Sequence, residues 1–270
     1  MQVYSIPNSI PREVRQKVSK LIDIKNAGTN EVDIYIYGEI VSGSEKWDES
    51  DVTFNDFKDV LENLTGSETV NLYVNSLGGS VFATQGMIAL LQRAKAKGVI
   101  INATIDGVGA SCASFLPLVA DNVYAYNSSI IMVHKPFIMI WGNADDMMKE
   151  AEVLEKIEDS VMMPIYMKKA KEGVTENQLK DLIRKETWLN SKEMSEIFDI
   201  TILEENKELV ACVDDKSIVE KYKNMPKHLK DKLGDIDNSK IEEIKAKKLQ
   251  EEREKQKIKL AQAKLRLSTI

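Results

Sequence analysis

The chain has 270 residues, 43% of them hydrophobic and 30% charged, with a formal net charge of −6. That is the composition of a globular protein able to bury a sizeable core. The acidic balance argues against a nucleic-acid partner, and no apolar run is long enough to cross a bilayer. Cys112 and Cys212 are the only cysteines, too few for a disulfide framework, and neither has ligands at zinc-site spacing, so no metal is expected. The N-terminus lacks an apolar signal-peptide core. A cytoplasmic location is the resulting expectation.

In chain order, residues 12–25 read as an amphipathic helix within an N-terminal segment 1–30, and residues 32–40 (VDIYIYGEI) alternate as a strand. A polar loop covers 42–51, after which Thr53 opens a helix with Asp56 as its capping-box partner. Next comes a strand at 70–74, the turn SLGGS, a helix at 82–98, a strand at 99–106 and a second glycine turn, GVGAS. Residues 112–120 read as helical, with Pro117 near the helix start or kinking it, and 122–126 and 129–135 as short strands. Strand–turn–helix units repeated in this way predict an α/β fold with right-handed crossovers and a mostly parallel, buried sheet.

From Asn143 the chain reads as a long helix, with Asn143 as N-cap and Asp145 and Asp146 at the positive end of its dipole. A helix after Thr175, the segment TWL, a short helix from Ser191 and a final strand or hairpin in 200–212 follow. Residues 216–270 are rich in Lys and Glu and contain one aromatic residue, Tyr222, so this tail is expected to bury little surface and to be helical or partly disordered. These shifts divide the chain into 1–30, a body at 31–215 and a tail at 216–270.

Three segments carry chemistry. In GVGASCAS, Ser111 sits between a predicted strand and helix, where a side chain and the following backbone N–H groups aim at one point. Taken alone, that segment reads first as a small-residue turn with Ser111 capping a helix. His134 ends the apolar run SIIMVHKP, and Pro136 favours an extended Lys135, so His134 stands at a strand end. A serine needs a base in hydrogen-bond reach to act as a nucleophile, and His134 is the only histidine of the predicted body. The paired glycines of NSLGGSV, Gly78 and Gly79, free backbone N–H groups that, with the N–H of Cys112, suit an oxyanion.

Together NSLGGSV, GVGASCAS and SIIMVHKP, in this order and with a helix and strands between them, resemble the Clp protease family from about Val32 to Val213. The resemblance implies a crotonase-like spiral fold, a serine endopeptidase with no organic cofactor, and a homo-oligomeric ring acting on protein or peptide substrates. It also implies an acidic third member just before an aromatic–Leu pair. Here that is Glu186 in KETWLNSKEMSE, where the family's housekeeping enzymes usually carry Asp, and Asp181 and Asp199 stay open as substitutes. YIYGEI, the Glu186 segment and the charged tail are closer to the family's phage prohead branch, whose substrates are scaffold and capsid precursors. Two alternatives stand beside this: a housekeeping subunit working with an ATP-driven unfoldase, and a catalytically idle scaffold or interaction protein. The Ser111 and His134 pair argues against the second.

Overall fold

Period-two alternation builds the central strands. In Thr69–Ser76 the side chains of Val70, Leu72 and Val74 are buried, while Asn71 and Tyr73 lie half-buried on the opposite face. The structure, a computed structural model, describes residues 22–23, 30–42, 51–204, 222–227 and 229. The elements in order are β1 (Ile22–Asp23), β2 (Glu31–Ile36), β3 (Ile40–Val41), β4 (Val52–Thr53), α1 (Phe54–Leu61), β5 (Thr69–Ser76), α2 (Val81–Ala96), β6 (Ile100–Ala110), a 3₁₀ turn (Ser111–Ser114), α3 (Phe115–Leu118), β7 (Asn122–Tyr126) and β8 (Ile130–Val133). Then come α4 (Ala144–Ile157), which runs through a π-helical turn into α5 (Met163–Lys169), α6 (Glu176–Arg184), β9 (Thr187–Asn190), α7 (Ser191–Ile197) and β10 (Thr201–Leu203).

The main path of the sheet is β1-β2-β5-β6-β7-β10, parallel from β2 to β10, with β1 antiparallel on β2. This is the mostly parallel α/β architecture expected of the sequence. On its edge away from β5, the eleven-residue β6 serves two neighbours: Asn102–Ile105 pair with β7, and Val108–Ala110 pair with β8, which pairs antiparallel with β9. The hand-over coincides with a bulge, since Val74 faces Ile105 but Ser76 faces Gly109. The side chain of Asn75 closes the irregularity by accepting the Val108 N–H at 3.0 Å.

One row of polar side chains crosses four strands. Asn122 donates to Asn102 (2.9 Å), Asn102 to Asn71 (3.0 Å) and Asn71 to the Asp33 carboxylate (2.9 Å), each between residues in direct register. A shift of one residue on any strand would break this row and turn that strand's apolar side chains to the wrong face.

The helix starts follow their sequence signals. Thr53 with Asp56, Asn143 with Asp146, and Thr175 with Gln178 each form a complete capping box. Pro117 falls in the first turn of α3, where its missing N–H costs nothing.

Three expectations change. The glycine turn expected at GVGAS is the end of β6 instead: residues 107–110 continue the strand, and from Val108 onward they pair with β8. Ile22–Asp23, at the end of the helix predicted over 12–25, form an edge strand on β2, where pairing overrides local helical periodicity; the rest of that helix lies outside the described residues. Within the expected tail, Tyr222, Met225 and Leu229 are buried in a second apolar cluster with Leu77, Val108, Ala110, Ile130 and Met132. A short sequence of apolar residues thus docks on the body beyond the boundary expected near 215. Residues 230–270, including the helix or coiled coil expected at 240–267, lie outside the described residues, as do Cys212 and His228.

Candidate active site

Sheet register brings the chemistry-bearing residues together. Ala110, the last residue of β6, faces Met132 on β8, so the next residues along these parallel strands, Ser111 and then His134, emerge at the same edge. β5 ends beside them through the Ser76–Gly109 pair, which delivers Gly78 and Gly79 to that edge. On the other side of β8, Val133 pairs antiparallel with Thr187, which sets Glu186 across from His134.

Ser111 has φ +54°, a left-handed conformation that a serine adopts at a cost of about 1–3 kcal/mol. It turns the chain sharply from β6 into the 3₁₀ turn. Ser114 holds that conformation from behind: its hydroxyl donates to the Ser111 carbonyl (2.5 Å) and shares a hydrogen bond with the Tyr166 hydroxyl (2.9 Å). Ser114 and Tyr166 are both 0% exposed. Ser114, the second serine of GVGASCAS, is therefore sealed inside the core.

His134 Nε2 lies 2.7 Å from Ser111 Oγ. The ring is 8% exposed, flanked by Phe137 and Tyr222 with centroids 5.6 Å away in each case. Burial lowers the imidazole pKa, and the charge of Glu186 partly offsets the effect. The neutral ring, able to accept a proton, is thereby the favoured form at neutral pH.

Of the three acidic residues raised by the sequence, Glu186 alone acts on the His134 charge. Asp181 pairs with Arg184 at 2.8 Å on the surface of α6, and Asp199 interacts with Lys169. Glu186 also has a left-handed backbone, φ +48°. Among the described residues its carboxylate is held not by His134 but by the backbone N–H groups of Asn224 (2.7 Å) and Lys223 (3.1 Å), with the Trp188 indole N–H at 3.5 Å.

Gly78 and Gly79 have φ of +98° and +142°, which glycine alone adopts without strain. A Cβ on Gly78 would come within 2.8 Å of both the Ala110 carbonyl and the Ser111 Cβ, and 3.3 Å from the Cys112 nitrogen. The bare glycine keeps the space before Cys112 N open. The Gly78 N–H itself donates to Ser76 Oγ at 3.1 Å, so of the two expected glycine donors it is already engaged. The Gly79 N–H faces the Cys112 thiol, whose pKa burial pushes up to about 11. Cys112 is thus a neutral thiol at physiological pH, with only its backbone placed for use.

Gly78, Gly79, Ser111 and His134 line a cleft of about 150 Å³ together with Glu39, Leu77 and Tyr222. Reading the sequence singled out Ser111, His134, Glu186 and the glycines, but missed Tyr222, Trp188 and the Ser114–Tyr166 brace. For Tyr222 a signal existed, since it is the one aromatic residue of the Lys- and Glu-rich segment.

The family model for Clp protease matches residues 16–197. The chain belongs to the Clp protease family. Clp proteases are serine peptidases, oligomeric and active on protein substrates. The match takes in the strands from β1 to β9, Glu186 and the cleft residues other than Tyr222, while β10 and residues 222–229 lie beyond it. It also begins upstream of Val32, where the sequence motifs start to resemble the family.

Proposed function

We propose that this Clp protease is a serine endopeptidase working without ATP, with Ser111 as nucleophile, His134 as general base and Glu186 as the group that stabilises the imidazolium. The 2.7 Å contact between His134 Nε2 and Ser111 Oγ carries this reading. As Ser111 Oγ attacks a peptide carbonyl carbon, its proton passes to Nε2. The carbonyl oxygen becomes an oxyanion, for which the Cys112 N–H, facing the space that Gly78 leaves open, is the proposed donor. Collapse of the intermediate breaks the C–N bond, and Nε2 returns the proton to the leaving amine. Water then attacks the acyl-serine by the same route and frees the acid. Burial of His134 supports the base role, because it keeps the ring unprotonated before reaction.

Further along the same reading, the substrates are scaffold and capsid precursors in a phage-infected cell's cytoplasm, and the working form is a homo-oligomeric ring. The exposed apolar run Phe137, Ile138, Met139 and Trp141, continued by Met147 and Met148 on α4, supports self-association. Met139 and Trp141 are 94% and 96% exposed, a costly arrangement for an isolated subunit in water. Incubation of the purified chain with a fluorophosphonate, followed by peptide mapping, tests the central claim. Label on the peptide containing Ser111 is expected. Label elsewhere, or cleavage of an unfolded protein or a capsid precursor that survives Ser111→Ala, would refute it.

A further inference from the structure

Tyr222 forms part of the cleft wall, and Met225 and Leu229 after it pack against the body. The Tyr222 ring stands edge-on to His134, and its hydroxyl donates to the Leu77 carbonyl, next to Gly78, while facing the Ser111 side chain. Behind it Met225 and Leu229 fill an apolar groove floored by Val108, Ile130 and Met132, and Trp188 packs edge-on against Tyr222 at 5.7 Å. Tyr222 is 5% exposed, as well buried as core residues of the body. The polar contacts run the same way. The backbone N–H groups of Lys223 and Asn224 take both oxygens of Glu186, and the Asn224 side chain donates to the Lys185 carbonyl at 2.7 Å.

Two consequences follow for a site that must hold a polypeptide. With Tyr222 in place the cleft encloses about 150 Å³, below the range of roughly 300–1,000 Å³ usual for ligand sites. The carboxylate opposite His134 is directed to the tail backbone, and among the described residues the imidazole has no hydrogen bond from it.

We propose that residues 222–229 are an intramolecular strap that closes the site: the segment occupies a groove for an aromatic-led apolar peptide, withholds Glu186 from His134 and keeps the full-length chain in a latent state. This rests on the serine-peptidase reading above. Release of the strap frees the groove for a substrate segment of the same character, an aromatic residue with apolar residues three and seven positions on, and returns the Glu186 carboxylate to His134. The strap needs no chemistry to open; displacement by a better-fitting peptide or by a partner that captures the tail suffices.

The test uses the full-length chain and two substitutions. Tyr222→Ala removes the ring from the cleft, and Asn224→Pro removes the N–H that holds Glu186 at 2.7 Å. The rate of fluorophosphonate labelling at Ser111 is measured in the native chain and in both variants, with circular dichroism to check folding. The reagent forms an O–P bond to Ser111, expels fluoride and leaves the serine proton on His134, so it reports access and activation together. Both folded variants are expected to label at least about tenfold faster, a gain of about 1.4 kcal/mol. Labelling of the native chain with equal or slower labelling of the variants would overturn the strap and leave the peptidase reading standing. No label on Ser111 in any of the three would overturn the peptidase reading, and the strap with it. If one variant fails to fold, the other decides.

Discussion

Val133 on β8 pairs with Thr187 on β9, and this single antiparallel pair fixes Glu186 opposite His134. The Ser111–His134 contact depends in the same way on the parallel pair Ala110–Met132. Three residues separated by 23 and 52 positions in sequence meet because β8 has one partner on each side, one parallel and one antiparallel.

Replacement of Ser111 by Ala is expected to abolish peptide hydrolysis, with a loss on the order of 10⁴–10⁶ in kcat, while thermal unfolding shows an intact fold. Ser114→Ala is expected to act differently, because that side chain is buried and its hydroxyl bonds to Ser111 O and Tyr166 OH. It should lower stability by about 1–3 kcal/mol, through the stranded carbonyl and phenol, and leave Ser111 reactive to a fluorophosphonate. The opposite ranking in labelling would mean that Ser114 is the nucleophile.

The pH profile tests the charge relationship of His134 and Glu186. Burial lowers the His134 pKa below the ordinary imidazole value of about 6.5, so kcat/KM should rise with pH and reach half its plateau below pH 6.5. Glu186 raises this pKa, because a nearby negative charge favours the imidazolium. Glu186→Gln is therefore expected to move the acid limb to still lower pH and to reduce the plateau, by a factor on the order of 10²–10⁴. An acid limb that stays in place would show that Glu186 does not sense the ring's charge.

Gly78→Ala inserts a Cβ against Ala110 O and Ser111 Cβ, each 2.8 Å away, at a residue with φ +98°. The Ser111 turn must shift to admit it, and a displacement of about 1 Å at a reacting group costs roughly 10²-fold in rate. A fall in kcat of that order is expected, with a smaller fall in melting temperature. Gly79→Ala is the harsher change, since its Cβ would lie 2.2 Å from the Ile40 carbonyl and press on β3. It should show in soluble yield before it shows in kinetics.

Self-association is tested on the exposed apolar run. A chain carrying both Met139→Glu and Trp141→Glu keeps its core, because both side chains are almost fully exposed. Light scattering is expected to show an oligomer for the native chain and smaller species for the double variant. An unchanged mass would move the interface elsewhere.

Much of the site could be read from the sequence because its parts carry local signals. A serine at the end of a glycine-bearing strand, a histidine at the end of an apolar run before Pro136, and paired glycines between a strand and a helix are each visible within eight residues, although the glycines before Ser111 suggest a turn where β6 in fact continues. The capping residues Thr53, Asn143 and Thr175 are visible for the same reason. What the sequence hid is long-range. The β1 edge strand at Ile22–Asp23 exists only because β2 offers a partner. The brace from Tyr166 to Ser114 spans 52 residues, and the bond from Tyr222 to Leu77 spans 145. In both cases the residue's neighbours in sequence say nothing about its partner. The charged surroundings of Tyr222 mark the segment as solvated, and three apolar residues at sparse spacing are enough to dock it.

The row from Asn122 to Asp33 has a further consequence. An amide can face either way, but an ionised carboxylate can only accept. Asp33 therefore dictates that Asn71 present its NH₂ group, which leaves the Asn71 oxygen for Asn102, and so on to Asn122. The charge at one end sets the polarity of three amides on three successive strands, and each donor polarises the next. With asparagine at position 33 the row could also run in the reverse direction.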